Sequence, residues 1–227
     1  VAQNSMLAVN ELFETIQGEG VFTGVAAIFL RLQGCPVGCP WCDTQHTWDK
    51  NNQDQVKPEQ LIMKTGDSPS WAGMSEQAVL ELIEQQGFTA KHVVITGGEP
   101  CMYDLNALTE LLHETGYQTQ IETSGTFEIK TSAQTWVTVS PKLDMPGGYE
   151  VRADAMARAN EIKHPIAMQK HIDALDALLG RCPVAAGTTI CLQPISQRPR
   201  ATELAIETCR KRNWRLSVQL HKYLAIE

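Results

Sequence analysis

The chain has 227 residues, with 19 Lys+Arg against 26 Asp+Glu for a formal charge of −7, and seven cysteines. That length suits one large α/β domain, and 43% hydrophobic with 20% charged residues excludes wholesale disorder. The acidic balance argues against nucleic acid as a partner, because phosphate backbones attract clustered Lys and Arg. No apolar run reaches the roughly 20 residues that span a bilayer, so no membrane partner is expected. The start, up to Met6, lacks a signal-peptide pattern, and residues 1–5 read as an expression remnant. A cytoplasmic setting keeps thiols reduced, and an odd cysteine count cannot pair fully, so the cysteines point to metal or catalysis.

In chain order, the apolar run 25–33 reads as a buried strand, and the clustered cysteines Cys35, Cys39 and Cys42 follow at once. Residues 49–75 are polar and broken by Gly66, Pro69 and Gly73, which marks an insertion. A helix is expected over 76–86, with Ala78, Val79, Leu82 and Ile83 on one face and Gly87 as its stop. A strand over 92–96 leads to a helix capped by Asp104, carrying Leu105, Leu108, Leu111 and Leu112 and closed by Gly116. Strands at 117–122 and 135–140 precede a helix at 150–159, a strand at 160–166 and a helix at 171–179. A strand at 188–193, a helix at 200–212 and a strand at 214–219 complete the series. Alternating strands and helices predict a mainly parallel sheet with helices outside it.

The chemically rich segments follow the expected strands: Cys35–Thr44, Thr96–Pro100, Glu122–Gly125, Ser140–Lys142, Gln193–Ser196 and His221–Tyr223. In parallel α/β folds the carboxyl ends of strands share one rim, where ligands bind. One elaborate small-molecule site is therefore expected. The spacing C-x3-C-x2-C on a Gly- and Pro-rich loop suits a soft metal centre. A zinc site could recruit His46 as fourth ligand, and Cys39-Pro-Trp-Cys42 alone could form a redox dithiol. An iron–sulfur cluster on three thiolates uses all three cysteines and is favoured. Cys101, Cys182, Cys191 and Cys209 read as core thiols.

The cysteine loop with Trp41 before its last cysteine, together with Gly97-Gly98-Glu99-Pro100, resembles the radical S-adenosylmethionine enzymes. The resemblance implies a 4Fe–4S cluster on Cys35, Cys39 and Cys42 whose open iron holds S-adenosylmethionine, with Gly98 and Glu99 near its amino group. Further segments resemble the 7-carboxy-7-deazaguanine synthase family, over almost the whole chain. They are Gln17–Gly20, Arg31, Cys42-Asp43-Thr44, Glu122–Gly125, Val139–Lys142 and His221–Leu224.

That likeness implies a single radical SAM domain with a partial (β/α)6 barrel, and conversion of a pterin, 6-carboxy-5,6,7,8-tetrahydropterin, to 7-carboxy-7-deazaguanine with loss of ammonia. It implies pterin binding by Ile16, Gln17, Gly18, Glu19, Arg31, Thr96 and His221, with a terminal carboxylate, here that of Glu227, reaching the substrate. Cofactor contacts are implied for Trp41, Cys42, Asp43, Ser140, Pro141, Lys142, Gln193, Pro194, Ile195 and Ser196, and Mg2+ binding for Thr44. A flavodoxin- or ferredoxin-like reductant and a homodimer are implied as well. A glycyl-radical activating enzyme shares the cysteine loop, but Gln17–Gly20 and the His-Lys-Tyr-Leu end argue against it. A zinc-stabilised binding module is the non-enzymatic alternative.

Overall fold

The structure is a computed structural model that describes residues 6–64 and 66–224. The chain opens with β1 (Leu7–Ile16) and β2 (Ala26–Leu32), an antiparallel pair joined by the loop that carries Gln17–Gly20. After the cysteine loop come α1 (Pro58–Leu61), β3 (Ala72–Met74) and α2 (Glu76–Gln85). Then β4 (His92–Gly97), α3 (Asn106–Glu114), β5 (Gln118–Thr123), β6 (Trp136–Val139), α4 (Ala153–Arg158) and β7 (Glu161–Ile166) follow. The last elements are α5 (Gln169–Arg181), β8 (Thr189–Pro194), α6 (Pro199–Arg212), β9 (Arg215–Leu216) and α7 (His221–Leu224).

One sheet runs β3-β1-β2-β4-β5-β6-β7-β8-β9, parallel from β2 through β9 and antiparallel only at its β1 and β3 edge. It is an open sheet, consistent with the partial barrel that the sequence implied. Side chains alternate across a strand, so one face can be apolar and the other chemical. Ile28, Leu30, Leu32, Val93, Ile95, Ile121, Val137, Val139, Ile162 and Leu192 are buried in the core. The helices add Val79, Leu82 and Ile83 from α2, Leu108 and Leu112 from α3, and Ile172, Leu175 and Leu178 from α5. Each such leucine contributes on the order of 2 kcal/mol by leaving water. The intervening positions, among them Phe29, Arg31, Thr96, Glu122, Lys163 and Gln193, line a cavity instead.

Four expectations need correction. β1 has no counterpart among the predicted elements, because Asn10, Glu11 and Glu14 interrupt its alternation. Each of those polar groups is matched by a partner distant in sequence, and Glu14 accepts from the Thr89 and Ala90 backbone N–H at 2.7 and 2.6 Å. Segment 49–75, read from its breakers as irregular, carries α1 and β3, and β3 pairs with β1 at the edge of the sheet. There Asn10 Nδ2 and Lys64 Nζ both donate to the Ser68 and Ser70 carbonyls, at 2.9 to 3.1 Å. The closing strand is only Arg215–Leu216; its last ladder bond is Ser217 N–H to Leu192 O, and Gln219 and His221 beyond it line the cavity. At the start of α3, Leu105 holds the cap position, and Asp104, one residue before it, accepts from the Asn106 N–H at 3.1 Å.

Among the described residues no helix is long and apolar enough to cross a membrane. All seven cysteines are free thiols, and Cys101, Cys182, Cys191 and Cys209 are buried.

Candidate active site

The carboxyl ends of the parallel strands open into one cavity of about 370 Å3. That is ample for a small organic ligand. At one end lies the cysteine loop. Its base is closed by backbone hydrogen bonds, Gly34 N–H to Thr47 O at 2.7 Å and Cys35 N–H to Trp48 O at 2.9 Å. The end of β4 is stitched beside it, with Gly98 N–H to Leu32 O and Glu99 N–H to Gly34 O, both 2.8 Å. A Cβ on Gly98 would overlap the Gly34 carbonyl oxygen, so only glycine allows this approach.

Cys35, Cys39 and Cys42 all face the cavity. Burial pushes the Cys35 thiol up to about 11, and the neighbouring Cys39, Cys42 and Glu99 add to that rise. Burial also raises Cys39, with Lys142 pulling the other way. Thiols whose ionisation burial opposes, as at Cys35 and Cys39, would be held as thiolates by cationic iron. Among the described residues no group of three or more His, Cys, Asp or Glu side chains converges on a single ion position. Thiolates that each bond a different iron of a cluster need no such convergence, whereas a Cys3His zinc site does. His46 sits elsewhere, its Nδ1 3.7 Å from Asp67 and its ring beside Glu11, Arg31 and Lys64. The donor set fits a cluster.

Glu99 is almost wholly buried and its carboxylate is fully engaged. It accepts from Cys101 N–H at 3.0 Å, Thr123 Oγ1 at 2.6 Å, Ser124 N–H at 2.8 Å and the Ser124 hydroxyl. The Glu122–Gly125 segment thus fixes the β4 end through this one carboxylate. Thr44, expected as a Mg2+ ligand, lines the cavity with its hydroxyl 3.5 Å from Cys42 Sγ. Trp41 and Asp43 line it as well, Trp41 being half exposed. Lys142 is half-buried and donates to Ser140 Oγ at 2.7 Å; desolvation lowers its pKa, with Cys39 opposing the shift.

The other end of the cavity carries Ile16, Gln17, Gly18, Glu19, Arg31, Thr96 and His221. Arg31 and Thr96 are register partners on β2 and β4. The Arg31 Nε donates to Glu11 at 2.7 Å, which leaves its terminal nitrogens without a protein partner among the described residues. Glu11 thereby aims a guanidinium fork into the cavity. A Cβ on Gly18 would sit 3.0 Å from His221 Nδ1, and Leu220 N–H bonds Gly18 O at 2.9 Å, so α7 is laid directly on this loop.

Lys163 was not expected from the sequence, and it is the charge centre of this end. Its Nζ lies 2.6 Å from Glu19 and 2.8 Å from Glu122, with 7% of its side chain exposed. Gln219 Nε2 donates to Glu19 at 2.9 Å, and Lys222 Nζ donates to Gln219 at 2.6 Å. Burial opposes the Glu19 charge, but Lys163 and the donors around it hold its pKa down at about 2. For Glu122 burial wins: with Glu19 and Glu161 nearby, its pKa rises to about 7 despite Lys163. One ammonium cannot neutralise two buried carboxylates.

Gln193, Ile195 and Ser196 also line the cavity, but Pro141 and Pro194 do not. Both prolines are buried behind the wall, because alternate residues of an extended chain face opposite ways and their neighbours point inward. Glu227 lies outside the described residues. Glu11, Glu122, Lys163 and Gln219 were missed as site residues; Glu122 alone carried a signal, as the first residue of the Glu-Thr-Ser-Gly segment.

Comparison with known proteins agrees with this geometry. The radical SAM superfamily profile matches residues 30–161, which runs from the end of β2 to the start of β7. The chain is 57% identical over 218 residues to 7-carboxy-7-deazaguanine synthase of Escherichia coli (strain K12), covering 96% of this chain and 98% of that protein. It is 47% identical, with the same coverage, to the synthase of Buchnera aphidicola subsp. Schizaphis graminum. The crystal structure of QueE from Escherichia coli superposes with a TM-score of 0.93 at 56% identity, over 95% of each chain. At this identity over essentially the full chain, the protein belongs to the 7-carboxy-7-deazaguanine synthase family of the radical SAM superfamily.

Proposed function

We propose that this chain converts 6-carboxy-5,6,7,8-tetrahydropterin to 7-carboxy-7-deazaguanine with loss of ammonia, as a carbon–nitrogen lyase of queuosine (deazapurine) biosynthesis. The observation that carries the reading is the meeting, in one cavity, of three crowded thiols and a polar end that combines Arg31 with two carboxylates. Cys35, Cys39 and Cys42 would hold the cluster. S-adenosylmethionine would lie along Trp41–Asp43, Gly98, Glu99, Ser140, Lys142, Gln193, Ile195 and Ser196. When bound, the reduced cluster and S-adenosylmethionine supply a 5′-deoxyadenosyl radical.

The protein's own contribution is placement and exclusion of water. Arg31, freed at its terminal nitrogens by the Glu11 contact, would grip the substrate carboxylate in bidentate fashion. Ile16–Glu19, Thr96 and His221 would hold the pterin ring, under the cover that α7 gives by lying on Gly18. Thr44 would offer its hydroxyl to Mg2+, whose remaining positions water and substrate fill. The protein would act in the cytoplasm as one domain spanning its whole length, as a homodimer, and would take electrons from a flavodoxin- or ferredoxin-like protein.

The test is anaerobic reconstitution with iron and sulfide, followed by incubation with the pterin, S-adenosylmethionine, Mg2+ and a one-electron reductant. Mass spectrometry should find 7-carboxy-7-deazaguanine; cofactor cleavage with no conversion of the pterin would overturn the substrate.

A further inference from the structure

The cavity's polar end holds more buried negative charge than a structural salt bridge requires. A bridge built for stability pairs one ammonium with one carboxylate, and even then desolvation offsets most of the gain. Here Lys163 on β7 meets Glu19 from the β1–β2 loop and Glu122 from β5, segments up to 144 residues apart, and all three side chains line the cavity. Each carboxylate is also braced from a second side. Gln219 and Gln193 donate to Glu19 at 2.9 and 3.4 Å, and Gln120 donates to Glu122 at 3.0 Å. The remaining charged groups facing this cluster are Glu161 on β7, Lys142 beyond β6, and His221 and Lys222 on α7. Glu161 is turned away from the ammonium, taking the Val21 N–H at 3.3 Å, Trp136 Nε1 at 3.4 Å and the Thr138 hydroxyl at 3.3 Å.

We propose that Lys163 is a positioning residue that holds Glu19 and Glu122 as a pre-aimed pair of hydrogen-bond acceptors for the donor-rich aminopyrimidinone edge of the substrate. This rests on the proposed function. The lysine sets the aim of both carboxylates and favours their ionised forms, yet one ammonium cannot balance two negative charges, so the pair is satisfied only when a ligand donates to it. An aminopyrimidinone offers adjacent N–H groups, the geometry that carboxylates accept best.

The experiment is calorimetric titration of cluster-loaded protein with 6-carboxy-5,6,7,8-tetrahydropterin across pH 5.5–9, with no reductant, so that binding is read without turnover. Wild-type affinity should rise with pH through about 7, where Glu122 ionises. Lys163→Met should weaken binding about tenfold or more at neutral pH. It should also move the rise upward by at least about one pH unit, because both carboxylates lose their cation. Lys163→Arg should restore the wild-type profile. Glu19→Gln, which keeps the lysine and removes a like charge, should move the rise below the wild-type value, and it tests the same coupling if Lys163→Met fails to fold. A merely structural lysine would change affinity without moving the profile. An unmoved profile in Lys163→Met or Glu19→Gln, or equal defects in the Met and Arg variants, would overturn the proposal. Binding of the pterin by wild type, with an unmoved profile in the variants, overturns the lysine's role alone. A wild type that binds no pterin at any pH overturns the proposed function with it.

Discussion

The two ends of the cavity are built on opposite plans. The thiol end comes from two short stretches, Cys35–Thr44 and Gly97–Glu99, tied by backbone hydrogen bonds, and its one buried carboxylate is saturated with four donors. The carboxylate end draws Glu19, Glu122 and Lys163 from three distant strands or loops and leaves its charges unbalanced. The first end is internally satisfied except for its thiols, which the proposed cluster would engage. The second is satisfied only when a ligand supplies donors. Local chain chemistry builds the thiol end, and tertiary assembly builds the carboxylate end.

The sharpest way to break this contrast is to damage one end and read the other. Cys39→Ala should abolish cluster loading and lower cofactor cleavage by at least about a thousandfold. It should leave the far-UV circular dichroism unchanged, because the apolar face of the sheet does not involve the loop. Iron analysis and cleavage assays read the first outcome. Retained iron and cleavage would show that the loop is not the cluster site.

Next comes the carboxylate that locks β4 to β5. Glu99→Gln keeps the shape but replaces one acceptor oxygen by a donor facing the Thr123 and Ser124 donors. A loss of about 2–3 kcal/mol is expected in urea unfolding, and a neutral result would mean that the bonds are not needed.

A control for the pH behaviour of the carboxylate end sits on the same strand. His164, next to Lys163, is buried and bonds His171 O at 3.0 Å. Burial pushes its pKa down to about 4, with the His171 carbonyl opposing the shift. The unfolded chain, whose histidine titrates near 6.5, binds the extra proton between those values, so stability is complete above about pH 6.5 and falls as pH drops. Between pH 7 and 5 this residue should cost about 2 kcal/mol. Unfolding curves at the two pH values should show that loss, and His164→Phe should lessen it.

The smallest effect expected is at Arg31. Arg31→Lys keeps the charge but loses the fork, so the pterin KM should rise about tenfold, roughly 1.4 kcal/mol, with little change in kcat. A pure kcat effect would place Arg31 in positioning the reaction and not in holding the carboxylate.

Much of the fold was legible because the parallel strands and their helices carry strong patterns. The run at 92–96, buried on both faces of its strand, and the leucines of α3, gathered on one helical face, are examples. β1 was illegible for the opposite reason. Asn10, Glu11 and Glu14 look out of place in a strand until their partners, Ser68, Arg31 and Ala90, are brought beside them. Pro141 and Pro194 show a different limit: their motifs say nothing about which way a side chain turns, and neither lines the cavity.

The seven cysteines show where the division falls. By itself the sequence determined that three of them share one loop and one chemistry, because C-x3-C-x2-C on glycine and proline is a local arrangement that needs no partner. It likewise determined the parallel sheet, since strand and helix periodicities are local. Only the tertiary structure decided that Lys163 stands between Glu19 and Glu122, that Glu11 aims Arg31, and that α7 lies on Gly18. The physical reason is that charge balance and burial are sums over neighbours in space. Residues as much as 144 positions apart become neighbours only once the strands are paired in order and their ends meet around the cavity.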